Sequence, residues 1–261
     1  MISNILSKTG KSTSGLDQKW ERFERKFFIQ PTKAAFARSL LSHICLPDSR
    51  YPQGTISSLY FDTPELDNFQ KSDNGDYERE KIRIRWYDNT EVSNGMVPVY
   101  LELKSKRGFA SRKQRRRILV PAERLKKISP GNTIMDRNVI SSTLSGFGCF
   151  SRGPLIPVIL ITYKRLRFIE ILTGVRLSFD WKVCSVIKSP ILGHSRTNLM
   201  LEGAIIEVKG PSMEIPESLR SINYLGTDWT RFSKYAGCLE SQMERSGSVG
   251  RLWPSGRVEL I

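Results

Sequence analysis

The sequence predicts an α+β protein: an antiparallel eight-stranded β tunnel barrel with a charged interior and helices packed on the outside. Two observations predict this fold. Segments in which charged and apolar residues alternate recur about eight times along the chain, and amphipathic helical segments lie between some of them. If the apolar strand faces point outwards, the helices cover them and the charged faces line a wet interior. For any single hairpin, the alternative is a sheet whose charged face simply meets solvent.

Strands are predicted where residues alternate between two faces, as side chains do in an extended chain. They are residues 20–29, 56–62, the two arms of a hairpin over Arg79–Lys106, 114–120, 158–169, 175–183 and 201–209. Helices are predicted where apolar residues repeat every three or four positions. They are residues 33–44, with Thr32 as N-cap, then 121–128, 134–144, 216–225 and 233–245. A polar, partly helical connection (65–76), a loop (107–112) and a Gly/Pro-rich break (146–157) join them.

The charge and length of the chain limit the possible classes of protein. The chain has 261 residues, enough for one large domain or two small ones, and a formal net charge of +15. Such an excess implies a polyanionic partner, whether nucleic acid, an anionic membrane surface, a nucleotide or polyphosphate. We expect residues 1–18 to be a disordered tail, residues 19–245 one folded domain, and residues 246–261 a C-terminal tail.

Several other classes are disfavoured. No apolar window is long enough to span a bilayer, and the N-terminus lacks an apolar stretch of secretory length, so we expect a cytoplasmic protein. The four cysteines are scattered without a CxxC pair, which argues against a zinc site or a redox pair. The two histidines, His43 and His194, are far apart in sequence, which argues against a histidine-based triad.

The charged strand faces carry the candidate site. In the hairpin, one face holds Lys81, Arg83, Arg85, Glu102, Lys104 and Lys106. The corresponding faces elsewhere add Glu24, Lys26, Arg115, Arg117, Arg165, Arg176, Asp180, Glu207 and Lys209, and the last helix begins beside Arg231 and Lys234. Arginine binds phosphate oxygens bidentately and lysine binds them as a point charge, while a carboxylate among them can hold Mg²⁺ or Mn²⁺. Phosphoryl transfer needs positioning, charge neutralisation and a metal, and such a tunnel meets those needs.

Taken in order, these motifs resemble the VTC domain, the polyphosphate polymerase branch of the triphosphate tunnel metalloenzymes in the CYTH-like superfamily. The resemblance runs from about residue 20 to residue 237. It is carried by 23–27 (Phe-Glu-Arg-Lys-Phe), 58–63, 81–85 (Lys-Ile-Arg-Ile-Arg), 101–104, 163–165, 175–180, 207–209 (Glu-Val-Lys) and 231–235. The resemblance implies an enzyme that transfers the γ-phosphate of ATP to a growing polyphosphate chain and uses a divalent metal, Mn²⁺ or Mg²⁺.

Carried over position by position, the resemblance also implies roles for single residues. Arg83, Arg85 and Glu207 would be catalytic, and Glu207 would bind the metal. Phosphate would be bound by Lys26, Arg83, Arg85, Lys104, Arg165, Arg176 and Lys209, with Arg231 and Lys234 holding the chain near one mouth of the tunnel. Arg117 is the further basic tunnel residue, and Arg115 is the second choice. Glu24 and Glu102 are expected to pair with neighbouring cations.

The sequence departs from the hydrolytic relatives in this superfamily. Those enzymes resemble a Glu-x-Glu-x-Lys pattern in the first strand, and here the first position is Arg22. They also tend to carry more tunnel carboxylates, whereas Glu207 is followed by Lys209. These departures favour binding a long polyphosphate over hydrolysing a triphosphate. A triphosphatase, with water as acceptor, and a non-catalytic polyanion-binding module remain the alternatives.

Other partners are limited by the same sequence. The basic run Arg112–Arg117 is the best case for a nonspecific nucleic-acid patch, but no aromatic residues are interleaved with it as stacking platforms, so no specific nucleic acid is expected. We also expect a protein without the membrane spans and the regulatory domain of the eukaryotic VTC complexes. Export or regulation would therefore need a partner protein, for example one in the membrane.

Overall fold

The structure is a computed structural model. It describes residues 23–88, 90, 92–108, 110–128, 134–151, 153–189, 191–192, 198–228, 233–244, 250–252 and 258–259. The predicted N-terminal tail, residues 1–18, lies outside the described residues, and so do Arg22 and Arg231. The predicted C-terminal tail, residues 246–261, contains two short described strands.

The described strands belong to one twelve-stranded sheet. In chain order they are β1 (Phe23–Ile29), β2 (Cys45–Pro47), β3 (Gln53–Asp62), β4 (Glu78–Tyr87), β5 (Met96–Arg107), β6 (Ala110–Pro121), β7 (Ile156–Glu170), β8 (Arg176–Ile187), β9 (Leu199–Gly210), β10 (Gly226–Asp228), β11 (Gly250–Leu252) and β12 (Val258–Glu259). Eight of them are long, as predicted, and all strand pairs are antiparallel except β11 with β9.

The strand order across the sheet is β10-β1-β9-β8-β7-β3-β4-β5-β6. Five strands lie between β1 and β5, yet the ammonium of Lys104 on β5 lies 3.8 Å from a carboxylate oxygen of Glu24 on β1. The sheet therefore curls towards the face that carries these two side chains, which we call the concave face. No ladder joins β6 to β1 or β10 among the described strands, so the predicted tunnel is confirmed as a curled sheet, but its seam is open rather than closed by hydrogen bonds.

The predicted loop at 107–112 is wrong, because the strands continue through most of it. Arg107 at the end of β5 pairs with Ala110 at the start of β6, which leaves a turn of two residues. Gly108 has a φ of +55°, and a Cβ there would lie 2.7 Å from the ring of Tyr77. Glycine adopts this left-handed conformation without the steric cost that other residues meet. The longer strands bring two further basic residues of β6, Arg112 and Lys113, into the sheet.

The described helices are α1 (Pro31–Ile44), α2 (Asp67–Asn74), α3 (Ala122–Lys126), α4 (Arg137–Gly146), α5 (Ile222–Leu225) and α6 (Lys234–Glu244), with one 3₁₀ turn at Glu217–Leu219. The first begins earlier than predicted. Gln30 is its N-cap and Pro31 its first residue, so the predicted cap at Thr32 is wrong. Proline suits this position because its missing N–H would have no partner inside the helix.

Two apolar clusters on the convex face confirm the predicted outer helices. In one, Leu41 of α1 and Ile222 of α5 pack with strand residues such as Phe179 and Ile206. In the other, Ile140 and Leu144 of α4 pack with residues of β3, β4 and β5. The strand residues in both clusters occupy the positions that alternate with the charged residues. They therefore point to the opposite face of the sheet, as the sequence pattern predicts. Burying these faces outside leaves the charged faces for the interior.

Helix α6 is the exception, because it lies against the concave face. Tyr235 stacks on Tyr60 of β3 with a centroid separation of 4.9 Å, and its hydroxyl donates a hydrogen bond of 2.8 Å to Asp62. Farther along the helix, the side-chain amide of Gln242 donates to the carbonyl of Ser185 on β8 at 2.8 Å. These contacts place the first turn of α6 beside the charged residues and its apolar face over the rest of the concave surface.

Candidate functional site

Strand register brings the charged residues of the hairpin and of β6 into rows. Arg83, Glu102 and Arg115 lie side by side across β4, β5 and β6. The next row is Lys81 and Lys104, with Lys113 beside them. Adjacent side chains on one face of antiparallel strands are about 4.5–5.5 Å apart at Cβ, so such rows would repel each other without a counter-charge.

Glu102 supplies that counter-charge and is almost completely buried, at 1% exposure. One of its oxygens accepts a hydrogen bond of 2.9 Å from Nε of Arg83 and lies 4.0 Å from Arg85. The other lies 2.8 Å from the ammonium of Lys113 and 3.7 Å from Arg115. Burial alone would raise the pKa of Glu102, but Arg83, Arg85 and Lys113 outweigh it and bring the pKa to about 2.

Neutral side chains hold the two arginines of β4 in place. Arg83 donates to the hydroxyl of Tyr60 at 3.1 Å, and Arg85 donates to the hydroxyl of Ser58 at 3.1 Å and to that of Tyr163 at 3.4 Å. Because both guanidinium groups are anchored before any ligand binds, little side-chain entropy is lost when they meet an anion.

A second cluster lies on β7, β8 and the start of α6. The guanidinium of Arg165 donates two hydrogen bonds to Asp180, of 2.6 and 2.7 Å, in the bidentate arrangement that arginine favours. The ammonium of Lys234 lies 2.7 Å from the same carboxylate. Burial would raise the pKa of Asp180, and Arg165 and Lys234 together hold it below its ordinary value. Asp180 thus explains why a lysine lies at the start of α6, where the helix dipole disfavours a cation.

The third cluster joins β9 to β1. One oxygen of Glu207 lies 2.6 Å from the ammonium of Lys209, and the other lies 3.4 Å from Arg165. Despite the cost of burial, Lys209 and Arg165 hold the pKa of Glu207 well below its ordinary value. Glu24 lies 2.8 Å from Lys26 and 3.8 Å from both Lys104 and Lys209. Glu24 therefore links this cluster to the hairpin across the open seam.

The structure brings most of the predicted site residues together. These are Lys26, Arg83, Arg85, Lys104, Arg165, Glu207, Lys209 and Lys234. Arg176 is exposed at the first position of β8, opposite Lys209, and Arg117 is exposed on β6, opposite Tyr100. Of the two register choices, Arg115 is the one that contacts Glu102, and its guanidinium lies 3.5 Å from the ring centre of Tyr100. Arg231 lies outside the described residues.

Sequence reasoning left two basic residues of these rows out of the site. Lys113 makes the 2.8 Å ion pair with Glu102, and Lys81 lies in the row of Lys104. The signal for Lys113 is the alternation of Lys113, Arg115 and Arg117, but the predicted strand begins one residue later, at residue 114. Lys81 was recognised as part of the hairpin face, but the resemblance assigned it no role.

A divalent metal has a limited place in this arrangement. Among the described residues, no three His, Cys, Asp or Glu side chains are grouped as metal ligands. Both oxygens of Glu207 already lie close to cations, so the donors fit a metal that brings most of its ligands with it as phosphate oxygens and water. Glu207 is the carboxylate that would complete such a shell.

Together the fold and the site define a class of protein: a curled antiparallel sheet whose concave face is a tunnel lined with cations. The sequence matches the family described as "VTC domain" over residues 21–243, and the chain therefore belongs to the VTC domain family, within the triphosphate-tunnel group. A comparison with curated proteins gave no match.

No helix in the described part of the chain is both long and apolar enough to cross a bilayer.

Solved structures give a weaker comparison. The chain is similar to a candidate adenylate cyclase from Bacillus halodurans, with 14% identity over 79% of this chain and 93% of that one, and a TM-score of 0.47. It is also similar to a candidate adenylate cyclase from Vibrio parahaemolyticus, with 12% identity over 85% and 86% of the two chains, and a TM-score of 0.34.

Proposed function

We propose that this protein is a polyphosphate polymerase that transfers the γ-phosphate of ATP to the end of a growing inorganic polyphosphate chain. The observation that carries the proposal is the charge of the concave face. In the described residues ten cations surround four buried or half-buried carboxylates. The cations are Lys26, Lys81, Arg83, Arg85, Lys104, Lys113, Arg115, Arg165, Lys209 and Lys234.

The excess of positive charge suits a polyanion longer than a single phosphate. Each carboxylate has at least two cations within 4 Å, so the site is ordered without a ligand and still strongly positive. Such preorganised charge stabilises phosphoryl oxygens as negative charge redistributes over them in the transition state. Arg83, Arg85 and Arg165 are already held in place by their partners, so they would hold the transferring group in line.

The chemistry needs no protein nucleophile. A terminal oxygen of the polyphosphate chain attacks the γ-phosphorus of ATP and forms the new P–O–P bond. The bond between the γ-phosphorus and the β–γ bridging oxygen breaks, and ADP leaves with that oxygen. Because the attacking oxygen is already ionised at neutral pH, no general base is required. A divalent metal bound beside Glu207 would supply further neutralisation of phosphate charge.

The same observation separates this proposal from a triphosphatase. A hydrolase has to orient a water molecule, for which a free carboxylate is the usual group. Asp62, which also lies on the concave face, is occupied by hydrogen bonds from Tyr235 and from backbone N–H groups. The four carboxylates of the charged clusters each lie within 4 Å of a cation, and the pKa of Glu207 and of Glu102 lies far below neutrality. These carboxylates are therefore weak bases, which favours transfer to a chain end over transfer to water.

The test is a product analysis with matched variants. The protein is incubated with ATP and Mn²⁺ or Mg²⁺, and the products are examined on a polyphosphate-staining gel and in a free-phosphate assay. We expect a ladder of long polymer for the wild type and for Glu217→Gln, which alters an exposed glutamate of the 3₁₀ turn. Glu207→Gln, with its fold checked by thermal unfolding, is expected to give none.

Two other outcomes would reject the proposal. Free phosphate without polymer would identify a triphosphatase. Tight binding of polyphosphate without either product would identify a binding module.

A further inference from the structure

One cation of the concave face has a different environment from the others. Within the described residues, nine of the ten tunnel cations lie within 4 Å of a carboxylate, and Lys81 does not. Its ammonium instead donates a hydrogen bond of 2.8 Å to the hydroxyl of Ser233, the residue before α6. Lys81 is half-buried, so solvent only partly replaces the missing counter-charge.

The groups that face Lys81 are themselves positive. They lie on three strands: Lys26 on β1, Arg79 and Arg83 on β4, and Lys104 on β5. Burial and these four charges all disfavour the protonated amine, and they lower the pKa of Lys81 to about 7. The tunnel without a ligand therefore leaves this amine partly neutral at physiological pH.

Ser233 adds a second donor at the same place. Its hydroxyl oxygen accepts from Lys81 and also from the backbone N–H of Ala236, at 3.5 Å. A serine hydroxyl has two acceptor positions and one donor. With both acceptor positions used, its hydrogen is left to donate. The dipole of α6, an eleven-residue helix, also has its positive end beside this hydroxyl.

From this geometry we infer that Lys81 and Ser233 form a phosphate-binding position of the tunnel, and that Lys81 takes up a proton from solvent when a polyphosphate binds there. The inference rests on the proposed function for its ligand class and extends it to a residue without an assigned role. A phosphate group placed between the amine and the hydroxyl would supply the negative charge that Lys81 lacks. Only the amine gains a proton, and no covalent bond of the ligand changes.

Proton uptake on binding gives a direct test. Calorimetric titration of the full chain with tripolyphosphate, in two buffers of different ionisation enthalpy, measures the protons exchanged per ligand bound. At about pH 8 we expect the wild type to take up nearly one proton more than Lys81→Arg, because arginine stays charged. At about pH 5.5 the two should agree, since Lys81 is then protonated before binding.

Two further variants keep the test decisive. Lys81→Met should bind tripolyphosphate about tenfold or more weakly at pH 5.5 and should show the same loss of proton uptake at pH 8 as the arginine variant. This variant serves where Lys81→Arg does not fold. Lys164→Met removes a positive charge from an exposed position of β7 that alternates with Arg165, and it should change neither binding nor proton uptake.

Equal proton uptake by the wild type and both Lys81 variants at pH 8 would overturn the inference. If the polymerase proposal is wrong and the inference about Lys81 is right, polymer synthesis will be absent while the Lys81-dependent proton uptake persists. Synthesis of polymer without that uptake would reject the role of Lys81 alone.

Discussion

The guanidinium of Arg165 and the carboxylate of Asp180 form a bidentate pair, with two hydrogen bonds of 2.6 and 2.7 Å, and Asp180 is completely buried. The two residues lie opposite each other on β7 and β8. Lys234 of α6 meets the same carboxylate at 2.7 Å, so one acidic residue joins two strands and the helix that lies in the interior.

Removing that charge should destabilise the fold. In Asp180→Asn, Arg165 and Lys234 would lose their shared counter-charge while both stay largely buried. Breaking a buried pair in this way costs about 3–5 kcal/mol. Urea denaturation should show the loss as a lower midpoint. Tripolyphosphate should restore part of the stability by supplying negative charge. An unchanged midpoint would mean that the pair contributes little.

Acid should remove the contribution of Glu102. The pKa of this carboxyl is lowered from about 4.5 to about 2 in the folded protein, so its stabilising effect is complete above pH 4.5 and is lost as the pH falls towards 2. The shift corresponds to about 3 kcal/mol. Comparing the free energy of unfolding of the wild type and Glu102→Gln across this range tests it. The difference between the two should shrink as the pH falls, and a constant difference would contradict the prediction.

Arg115 and Arg117 should differ in their effect on ligand binding. Both residues are exposed, but the guanidinium of Arg115 is held over the ring of Tyr100 and near Glu102. A prepositioned guanidinium loses less entropy on binding. We therefore expect Arg115→Met to weaken tripolyphosphate binding about tenfold and Arg117→Met to weaken it less, as measured by calorimetry. A larger effect at Arg117 would reverse this order and favour the initial sequence-based choice.

Removing divalent metal should separate turnover from binding. The described carboxylates offer no all-protein metal cage, whereas the cations can bind phosphate directly. With EDTA present, synthesis from ATP should stop while tripolyphosphate still binds within about threefold of its affinity without EDTA. Loss of binding under EDTA would show instead that the metal holds the ligand.

Much of the fold could be predicted from the alternation of charged and apolar residues within single segments of the chain. A period of two determines which residues share a strand face, so Arg83, Arg85 and Lys104 were expected on one surface before any partner strand was known. The apolar residues at the alternate positions, such as Ile82 and Leu101, likewise predicted a strand face that helices cover, and the structure confirms this face. Both inferences depend only on neighbouring residues of one strand.

Other features depend on contacts between distant parts of the chain. The carboxylate that meets each cation depends on strand order, and Lys104 meets Glu24 only because the sheet curls past five intervening strands. The placement of α6 inside the tunnel depends on contacts such as that of Tyr235 with Asp62, which are 173 positions apart. Its amphipathic sequence alone fits an outer helix equally well.

By itself, then, the sequence determined the eight long strands and their charged faces and predicted a polyanionic ligand, because alternation and net charge are local and additive. Only the tertiary structure decided the open seam and the cations that each carboxylate meets. It also decided that Lys81 has no carboxylate within 4 Å among the described residues. Those features depend on which side chains come within about 4 Å of each other, and Coulomb interactions and burial at that distance are properties of the packed chain.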